Sequence, residues 1–415
     1  MSADVASMTA DLPPLQPLVP EEERPPCPRP PDLGMVMGGG GARAAYQVGV
    51  LRFMARRFPE LCVPYVTGVS AGAINAALLA SHHGTFLQAV DELNHLWGHL
   101  TIEDVFRVDS RTLLKNGFRW IRQLVSGGIG TADPVKSLVD TEPLRRYLSE
   151  VLHAVDGELT GIHYNLRHGC LRAVALSTSS YSSGQSVTWV QGSEIREWER
   201  PQRTARKTTI GVEHIMASAA LPLFFPAVRI GNEWYGDGGV RLTAPLSPVL
   251  HLGARRILAI STRYERPDRK DIPATVHGYP PPAQVVGALT NAIFLDLLDN
   301  DAMRLERLNR LLEYVPKEDR EGLAPVRLFT IRPSRDLGRL AGEYEARLPR
   351  AFRFLTRGLG TKQTRSPDFL SLILFQPDYL RALMDIGEED AEARADEIEA
   401  FLCADATSVR SVADV

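Results

Sequence analysis

The sequence lacks a long apolar segment: no uninterrupted apolar run reaches the roughly 18 residues that a membrane-spanning helix needs. It also lacks a basic stretch followed by an apolar one near its start, the pattern of a secretory signal. The 47 Lys and Arg residues nearly balance the 50 Asp and Glu residues, for a net charge of -3. Bulk attraction to nucleic acid is therefore not expected. These absences predict a cytoplasmic protein that binds no nucleic acid and contacts membranes, if at all, only peripherally.

The four cysteines are scattered at Cys27, Cys62, Cys170 and Cys403. They form no Cys-x-x-Cys pair, and no Cys/His cluster has zinc spacing. We therefore expect reduced cysteines and no metal site.

The chain divides into three parts by composition. Residues 1–31 contain nine prolines and no hydrophobic periodicity, which indicates a disordered or extended arm. Residues 32–262 alternate strand and helix patterns, which predicts one catalytic domain built as a three-layer α/β/α sandwich with a mainly parallel sheet. Residues 263–415 are mostly helical in pattern, with one further strand near 325–331 and a single closing helix over 378–404. We expect this C-terminal extension to pack on the catalytic domain.

A G-x-S-x-G sequence, Gly68-Val69-Ser70-Ala71-Gly72, lies between a predicted strand and a predicted helix. Such a turn exposes the serine hydroxyl at the carboxyl end of a sheet, and the elbow glycines Gly68 and Gly72 permit the tight turn. The positive N-terminal end of the next helix favours negative charge near Ser70. By itself the pattern fits a plain strand–helix connection equally well.

The glycine loop, Gly38 to Gly41, follows the first predicted strand. Consecutive glycines can aim several backbone N–H groups into one concavity, which suits an oxyanion and points to Gly39, Gly40 and Gly41. Gly39, Gly41 and Ala44 also fit a dinucleotide fingerprint. That alternative needs an acidic residue at the end of the next strand, whereas Glu60 precedes that strand.

Asp237-Gly238-Gly239 follows a short strand-like stretch. An aspartate before two glycines is usually a turn, but an aspartate within reach of Ser70 could accept its proton as a general base. A Ser-Asp-His triad remains the alternative, with His251 or His277 as the histidine.

The three motifs, in this order, resemble those of the patatin-like phospholipases, which share a catalytic dyad with cytosolic phospholipase A2. The resemblance covers roughly residues 33–261 and implies that Ser70 is the nucleophile, Asp237 the base, and the amides of residues 39–41 the oxyanion hole. It also implies that Arg43 shapes the glycine loop or meets a phosphate or acyl oxygen. The family usually has a glycine after this basic residue, where this chain has Ala44. We expect Ala44 to begin the following helix, where alanine fits well.

The resemblance implies a lipid acyl hydrolase, similar to phospholipase A or lysophospholipase, that acts on a lipid ester through an acyl-enzyme without a cofactor. Phe224 and Phe225 suit the wall of an apolar cleft or an ordinary core. An acyltransferase and a lipid-binding protein with a vestigial site are the alternatives. The oligomeric state is left open by the sequence.

Overall fold

The computed structural model describes residues 12–20, 28–107, 137–169, 171–193, 195–264, 285, 289, 297–345, 348 and 368–403. Ten strands in these parts of the chain form one sheet in the order β10-β9-β1-β2-β3-β4-β6-β5, with β8 beside β3 and β7 beside β8. The strands are β1 (Leu33–Met37), β2 (Tyr65–Val69), β3 (Ala173–Ser180), β4 (Ser186–Gly192), β5 (Glu199–Arg200), β6 (Arg203–Lys207), β7 (Val228–Ile230), β8 (Glu233–Asp237), β9 (Arg256–Ile260) and β10 (Arg327–Ile331). From the edge strand β10 inward, β10, β9, β1, β2 and β3 are all parallel, and β8 runs antiparallel to β3.

Helices cover both faces of this sheet. In the described residues they are α1 (Ala45–Arg57), α2 (Ala71–Ser81), α3 (Phe86–His99), α4 (Ile102–Val105), α5 (Glu142–Val151), α6 (Thr160–His168), α7 (Val212–Ser218), α8 (Ser247–Leu252), α9 (Leu297–Glu313), α10 (Leu337–Tyr344), α11 (Asp368–Ile373), α12 (Pro377–Glu392) and α13 (Ala395–Cys403). Short 3-10 turns at Gly41–Ala44 and Gly238–Val240 follow β1 and β8.

Two hydrophobic cores lie on opposite faces of the sheet. Along β1, Met35 and Met37 belong to the larger core, whereas Val36 belongs to the smaller core with Val249 and Leu298. Neighbouring residues of a strand point to opposite faces, so a strand buried on both sides contributes to both cores. The predicted three-layer α/β/α sandwich with a mainly parallel central sheet is confirmed.

The register of the sheet brings two distant positions to the same level. Val69, the last residue of β2, pairs with Ser177 of β3. Asp237, the last residue of β8, pairs with Thr178, the next residue along β3. Because β8 follows β2 along the same edge of β3, Ser70 and Asp237 end up side by side although 167 positions separate them.

The C-terminal extension contributes both to the sheet and to the helical layers. The predicted strand near 325–331 is confirmed as β10, which pairs in parallel with β9. The single closing helix predicted over 378–404 is wrong in one respect, because α12 ends at Glu392 and α13 begins at Ala395. The break coincides with Arg394, whose guanidinium lies over the ring of Phe329, 4.2 Å from its centroid, and donates to the Thr330 carbonyl. This contact with β10 is a tertiary effect that helical periodicity does not reveal.

Residues 12–20 and 28–31 of the proline-rich arm are described and contain no helix or strand, and residues 12–20 lie against α1 and α3. The Leu15 N–H donates to the Asp91 carboxylate at 3.0 Å, and the Leu18 N–H donates to the Arg56 carbonyl at 2.8 Å.

Cys62 is disulfide-bonded, which differs from the expected reduced cysteines. Scattered positions in sequence do not prevent two sulfur atoms from meeting in the fold. No helix in the described residues is long and apolar enough to cross a membrane.

Helices α1 and α12 touch through their backbones at two glycines. A Cβ at Gly49 would overlap the Met384 carbonyl oxygen, and a Cβ at Gly387 would overlap the Tyr46 carbonyl oxygen. Helix α12 of the C-terminal extension can therefore pack this closely on α1 only because residues 49 and 387 are both glycines.

We predict that Gly49→Ala lowers the stability of the protein. In an exposed helix this change would stabilise by up to ~1 kcal/mol, but forced overpacking costs roughly 1–3 kcal/mol. Thermal unfolding should show a melting temperature several degrees below that of the wild type. An equal or higher melting temperature would show that the two helices do not approach this closely.

Candidate active site

Ser70 lies in a strained turn between β2 and α2. Its φ of 55° is a conformation that L side chains rarely adopt. A Cβ at Gly72 would overlap the carbonyl oxygens of Met37 and Gly38, and a Cβ at Gly68 would lie 2.5 Å from the Gly72 carbonyl oxygen. Both elbow glycines are thus required by close backbone contacts, and the serine is left at the start of a helix with its side chain buried.

The carboxylate of Asp237 meets this serine directly. The Ser70 Oγ donates to Asp237 Oδ2 at 2.6 Å, and the Gly239 N–H donates to Oδ1 at 2.8 Å. Asp237 is fully buried. Burial raises its pKa to about 7, although the hydrogen bonds from Ser70 and Gly239 oppose this shift. The structure thus brings the two residues into a proton-sharing pair with a carboxylate of near-neutral pKa.

Ser218 is a polar contact of the elbow that the sequence analysis did not identify. The backbone N–H of Ser70 donates to Ser218 Oγ at 3.0 Å, and Ser218 Oγ donates to the Ser177 carbonyl at 2.6 Å. Its side chain is fully buried. It ties the strained turn at Ser70 to β3. Its position at the end of α7, close to an apolar segment near Phe224, was the only hint in the sequence.

The glycine loop borders the same space as Ser70. Gly40 and Gly41 have φ values of 149° and 54°, and both line the cavity that contains Ser70. A Cβ at Gly39 would lie 3.0 Å from the Ser70 Cβ, so Gly39 abuts the serine. No backbone carbonyl of the described residues accepts a hydrogen bond from these three amides. Ala44 has φ −65° and ψ −15°, so the expected helical conformation of this residue is confirmed.

Arg43 points away from the cavity and toward the C-terminal extension. Its Nε donates to Ser371 Oγ at 2.6 Å, and its Nη2 donates to Asp368 Oδ1 at 2.7 Å. The side chain is 3% exposed and is absent from the described residues that line the cavity. Of the two expectations for Arg43, this geometry favours shaping of the loop. Helix α11 also covers the loop directly, because a Cβ at Gly41 would overlap the Leu372 carbonyl oxygen.

The cavity beside Ser70 encloses about 580 Å³, including space open to solvent. Its walls come from five regions of the chain and are almost wholly apolar; they comprise Ala71, Ile74, Trp97, Leu100, Val105, Leu144, Ala219, Leu221, Phe225, Leu372, Ile373 and Phe375. Phe225 therefore lines the cavity, whereas Phe224 packs edge-on against Phe106, 5.4 Å between ring centroids. An apolar chamber with polar groups only at one end suits a hydrocarbon chain.

The alternatives to a Ser-Asp pair find little support in this geometry. No histidine among the described residues is hydrogen bonded to Ser70 or Asp237. His251 is exposed and stacks on Trp198, with ring centroids 4.7 Å apart. His277 lies outside the described residues.

Glu60, considered for a dinucleotide site, pairs with Arg29 at the surface. No group of three or more His, Cys, Asp or Glu side chains suited to a metal ion occurs in the part of the chain that the structure describes.

Solved structures that resemble the chain share little sequence with it. VipD from Legionella pneumophila matches 89% of this chain and 67% of its own, at 13% identity and a TM-score of 0.34. Human GIVD cytosolic phospholipase A2, in complex with methyl gamma-linolenyl fluorophosphonate and terbium chloride, matches 89% of this chain and 59% of its own, at 13% identity and a TM-score of 0.43. The type III effector protein ExoU matches 91% of this chain and 54% of its own, at 15% identity and a TM-score of 0.34. The chain thus spans little more than half the length of the last two proteins.

Among curated proteins, no sequence matches this chain. The sequence model of the patatin-like phospholipases matches residues 35–250, which is more than half of the chain. This match includes the glycine loop, Ser70 and Asp237. The chain belongs to the patatin-like phospholipase family.

Proposed function

We propose that the protein is a lipid acyl hydrolase in which Ser70 attacks the ester carbonyl and Asp237 accepts the serine proton. The observation that carries this proposal is the 2.6 Å hydrogen bond between Ser70 Oγ and Asp237 Oδ2 in a buried site. A base in direct contact with the nucleophile needs no intervening histidine.

The reaction has two halves. In the first, the Ser70 oxygen bonds to the carbonyl carbon while its proton passes to Asp237, and collapse of the tetrahedral intermediate expels the alcohol, which takes that proton. In the second, a water molecule gives its proton to Asp237 and attacks the acyl-enzyme. Collapse then returns a proton to Ser70 and releases the fatty acid.

The negative charge of both tetrahedral intermediates needs hydrogen-bond donors. The N–H groups of Gly39, Gly40 and Gly41 border Ser70 and donate to no backbone carbonyl of the described residues, so they are available as donors. The N-terminal end of α2 adds a positive dipole at the same point. A donor of this kind contributes roughly 2.7–4 kcal/mol to transition-state stabilisation.

The substrate class follows from the cavity. Its apolar walls remove a hydrocarbon chain from water, which stabilises binding by roughly 0.8 kcal/mol for each buried CH₂. A long acyl chain in this chamber would place its ester carbon beside Ser70. We therefore assign the acyl chain, and not the alcohol part of the lipid, to this cavity.

We predict that Ser70→Ala abolishes hydrolysis of a p-nitrophenyl ester of a long-chain fatty acid and abolishes labelling by an alkyl fluorophosphonate. Asp237→Asn should lower kcat by roughly a thousandfold or more, since the serine loses its base. His251→Ala serves as the matched control, because this histidine is exposed and remote, and should retain wild-type turnover. A large loss in His251→Ala together with an active Asp237→Asn would overturn the Ser-Asp pair in favour of a triad.

We predict a single ionisation near pH 7 in the pH dependence of kcat/KM. Only the ionised Asp237 can accept the serine proton, and burial raises the pKa of this carboxyl to about 7. Below this pH, kcat/KM should fall about tenfold per unit, and above it the rate should level off. A profile that is flat down to about pH 5 would contradict a buried carboxylate base.

The same pKa predicts an effect on stability that needs no substrate. A carboxyl whose pKa is raised on folding binds more protons in the folded than in the unfolded state, so the free energy of unfolding falls as the pH rises from about 4 to 7. Asp237→Asn removes this penalty. Its melting temperature should match that of the wild type near pH ~4 and exceed it at pH ~8.

We predict that Leu100→Trp shifts the preference of the enzyme toward short acyl chains. Leu100 lines the cavity, and a larger side chain there leaves less room for a hydrocarbon. The ratio of kcat/KM for a sixteen-carbon to a four-carbon ester should fall by roughly tenfold or more, since a few lost methylenes are each worth about 0.8 kcal/mol. A folding defect would lower both rates equally, so an unchanged ratio would show that the acyl chain binds elsewhere.

A further inference from the structure

Two carbonyls of the glycine loop are held by side chains that lie behind it. Gln47 Nε2 donates to the Gly38 carbonyl at 2.7 Å, and Thr262 Oγ1 donates to the Gly39 carbonyl at 2.7 Å. Both side chains are buried. Neither is among the described residues that line the cavity at Ser70.

Each of these bonds also sets the direction of an amide. The described peptides are all trans, and in a planar trans peptide the C=O and the following N–H point in opposite directions. The Gly39 N–H therefore points away from Gln47, and the Gly40 N–H points away from Thr262. Gly39 abuts Ser70 and Gly40 lines its cavity, so N–H groups that point away from Gln47 and Thr262 have the orientation that donors to an oxyanion at Ser70 require.

Glycine peptides need such restraint, because without a Cβ they rotate between several conformations of similar energy. Gly40 has a φ of 149°, and a Cβ there would lie 2.6 Å from Thr262 Oγ1. The contact with Thr262 thus exists only because residue 40 is a glycine, and it replaces the conformational restraint that a side chain would supply.

The orientation of Gln47 is itself determined by a chain of buried polar side chains. The Trp97 indole, which can only donate, gives its hydrogen to Asn75 Oδ1 at 2.7 Å. The Asn75 amide then donates to Gln47 Oε1 at 2.9 Å, which leaves the Gln47 NH₂ group facing the Gly38 carbonyl. All three side chains are fully buried. The chain runs in one direction because its first member has no acceptor.

We propose that Thr262, together with the chain of Trp97, Asn75 and Gln47, consists of positioning residues that aim the amides of Gly39 and Gly40 at the oxyanion. This inference rests on the proposed ester hydrolysis and assigns it residues that act through the glycine loop; of these, only Trp97 also lines the cavity. Loss of one member lets a glycine peptide rotate, so the transition state loses a donor while the acyl chain binds as before.

The test is Thr262→Val, which removes the hydroxyl and keeps the shape of the side chain. We expect kcat for a long-chain ester to fall roughly 10- to 100-fold with KM little changed, because the lost interaction acts mainly in the transition state. The affinity for a long-chain alkyl trifluoromethyl ketone, which forms an oxyanion on the serine, should fall in parallel. The corresponding alcohol with the same alkyl chain forms no oxyanion, so its affinity should stay at the wild-type value.

Two further variants separate this effect from a folding defect. Thr262→Ser restores the hydroxyl and should recover kcat to within about threefold of the wild type. Thr67→Val is the matched control, since Thr67 is also buried but donates to the Met35 carbonyl of β1, outside the glycine loop. Gln47→Met should reproduce the selective loss of ketone affinity by releasing the Gly38 carbonyl.

The outcomes distinguish this inference from the proposed function. Hydrolysis by the wild type with unchanged kcat and ketone affinity in Thr262→Val would overturn the positioning role alone. An equal loss in Thr262→Val and Thr67→Val would also overturn it, as a general packing effect. A wild type that neither hydrolyses esters nor reacts with a fluorophosphonate would overturn the proposed function itself.

Discussion

The hydrogen bond between Ser70 Oγ and Asp237 Oδ2 is the interaction around which the rest of the molecule is arranged. It requires a serine with positive φ and a carboxylate without solvent, and both are unfavourable on their own. The central strand β3 holds the two together, since β2 and β8 pair with successive stretches of the same edge of β3, while β4 pairs with its other edge. Ser218 then anchors the strained turn to the same strand. The scaffold thus offsets locally unfavourable conformations with long-range pairing.

Under the proposed mechanism, the buried pair supplies a base that is effective near neutral pH. A solvated aspartate is a weak base, whereas burial raises the pKa of Asp237 to about 7. The same burial costs stability when the carboxylate is ionised. Reactivity and stability are therefore opposed at this residue, and the two hydrophobic cores on either side of the sheet supply the stabilisation that balances it.

The C-terminal extension is structurally part of the site. Its helix α11 contributes Leu372 and Ile373 to the cavity wall and covers the glycine loop. Asp368 compensates the buried charge of Arg43, which would otherwise be costly beneath the loop. The glycine loop is consequently restrained on both sides: by Arg43 and α11 at one end, and by Gln47 and Thr262 behind it. A segment whose sequence predicted helices and one strand packed on the catalytic domain thus completes the proposed substrate chamber.

The sequence by itself determined the elements whose causes are local: the strand–turn–helix around Ser70, the glycine loop, the alternating strands and helices of the sandwich, and the added strand β10. Close backbone contacts and side-chain periodicity produce these features within a few residues, so they are visible in the order of amino acids. The tertiary structure alone decided the roles of Ser218, Thr262, Gln47 and Asp368, and the break between α12 and α13. Each of these depends on a partner distant in sequence, and a single serine or threonine carries no pattern before its partner is placed. The pairing of Ser70 with Asp237 combines both kinds of information. Sequence motifs indicated the two residues, but only the pairing of β2 and β8 with β3 brings them together.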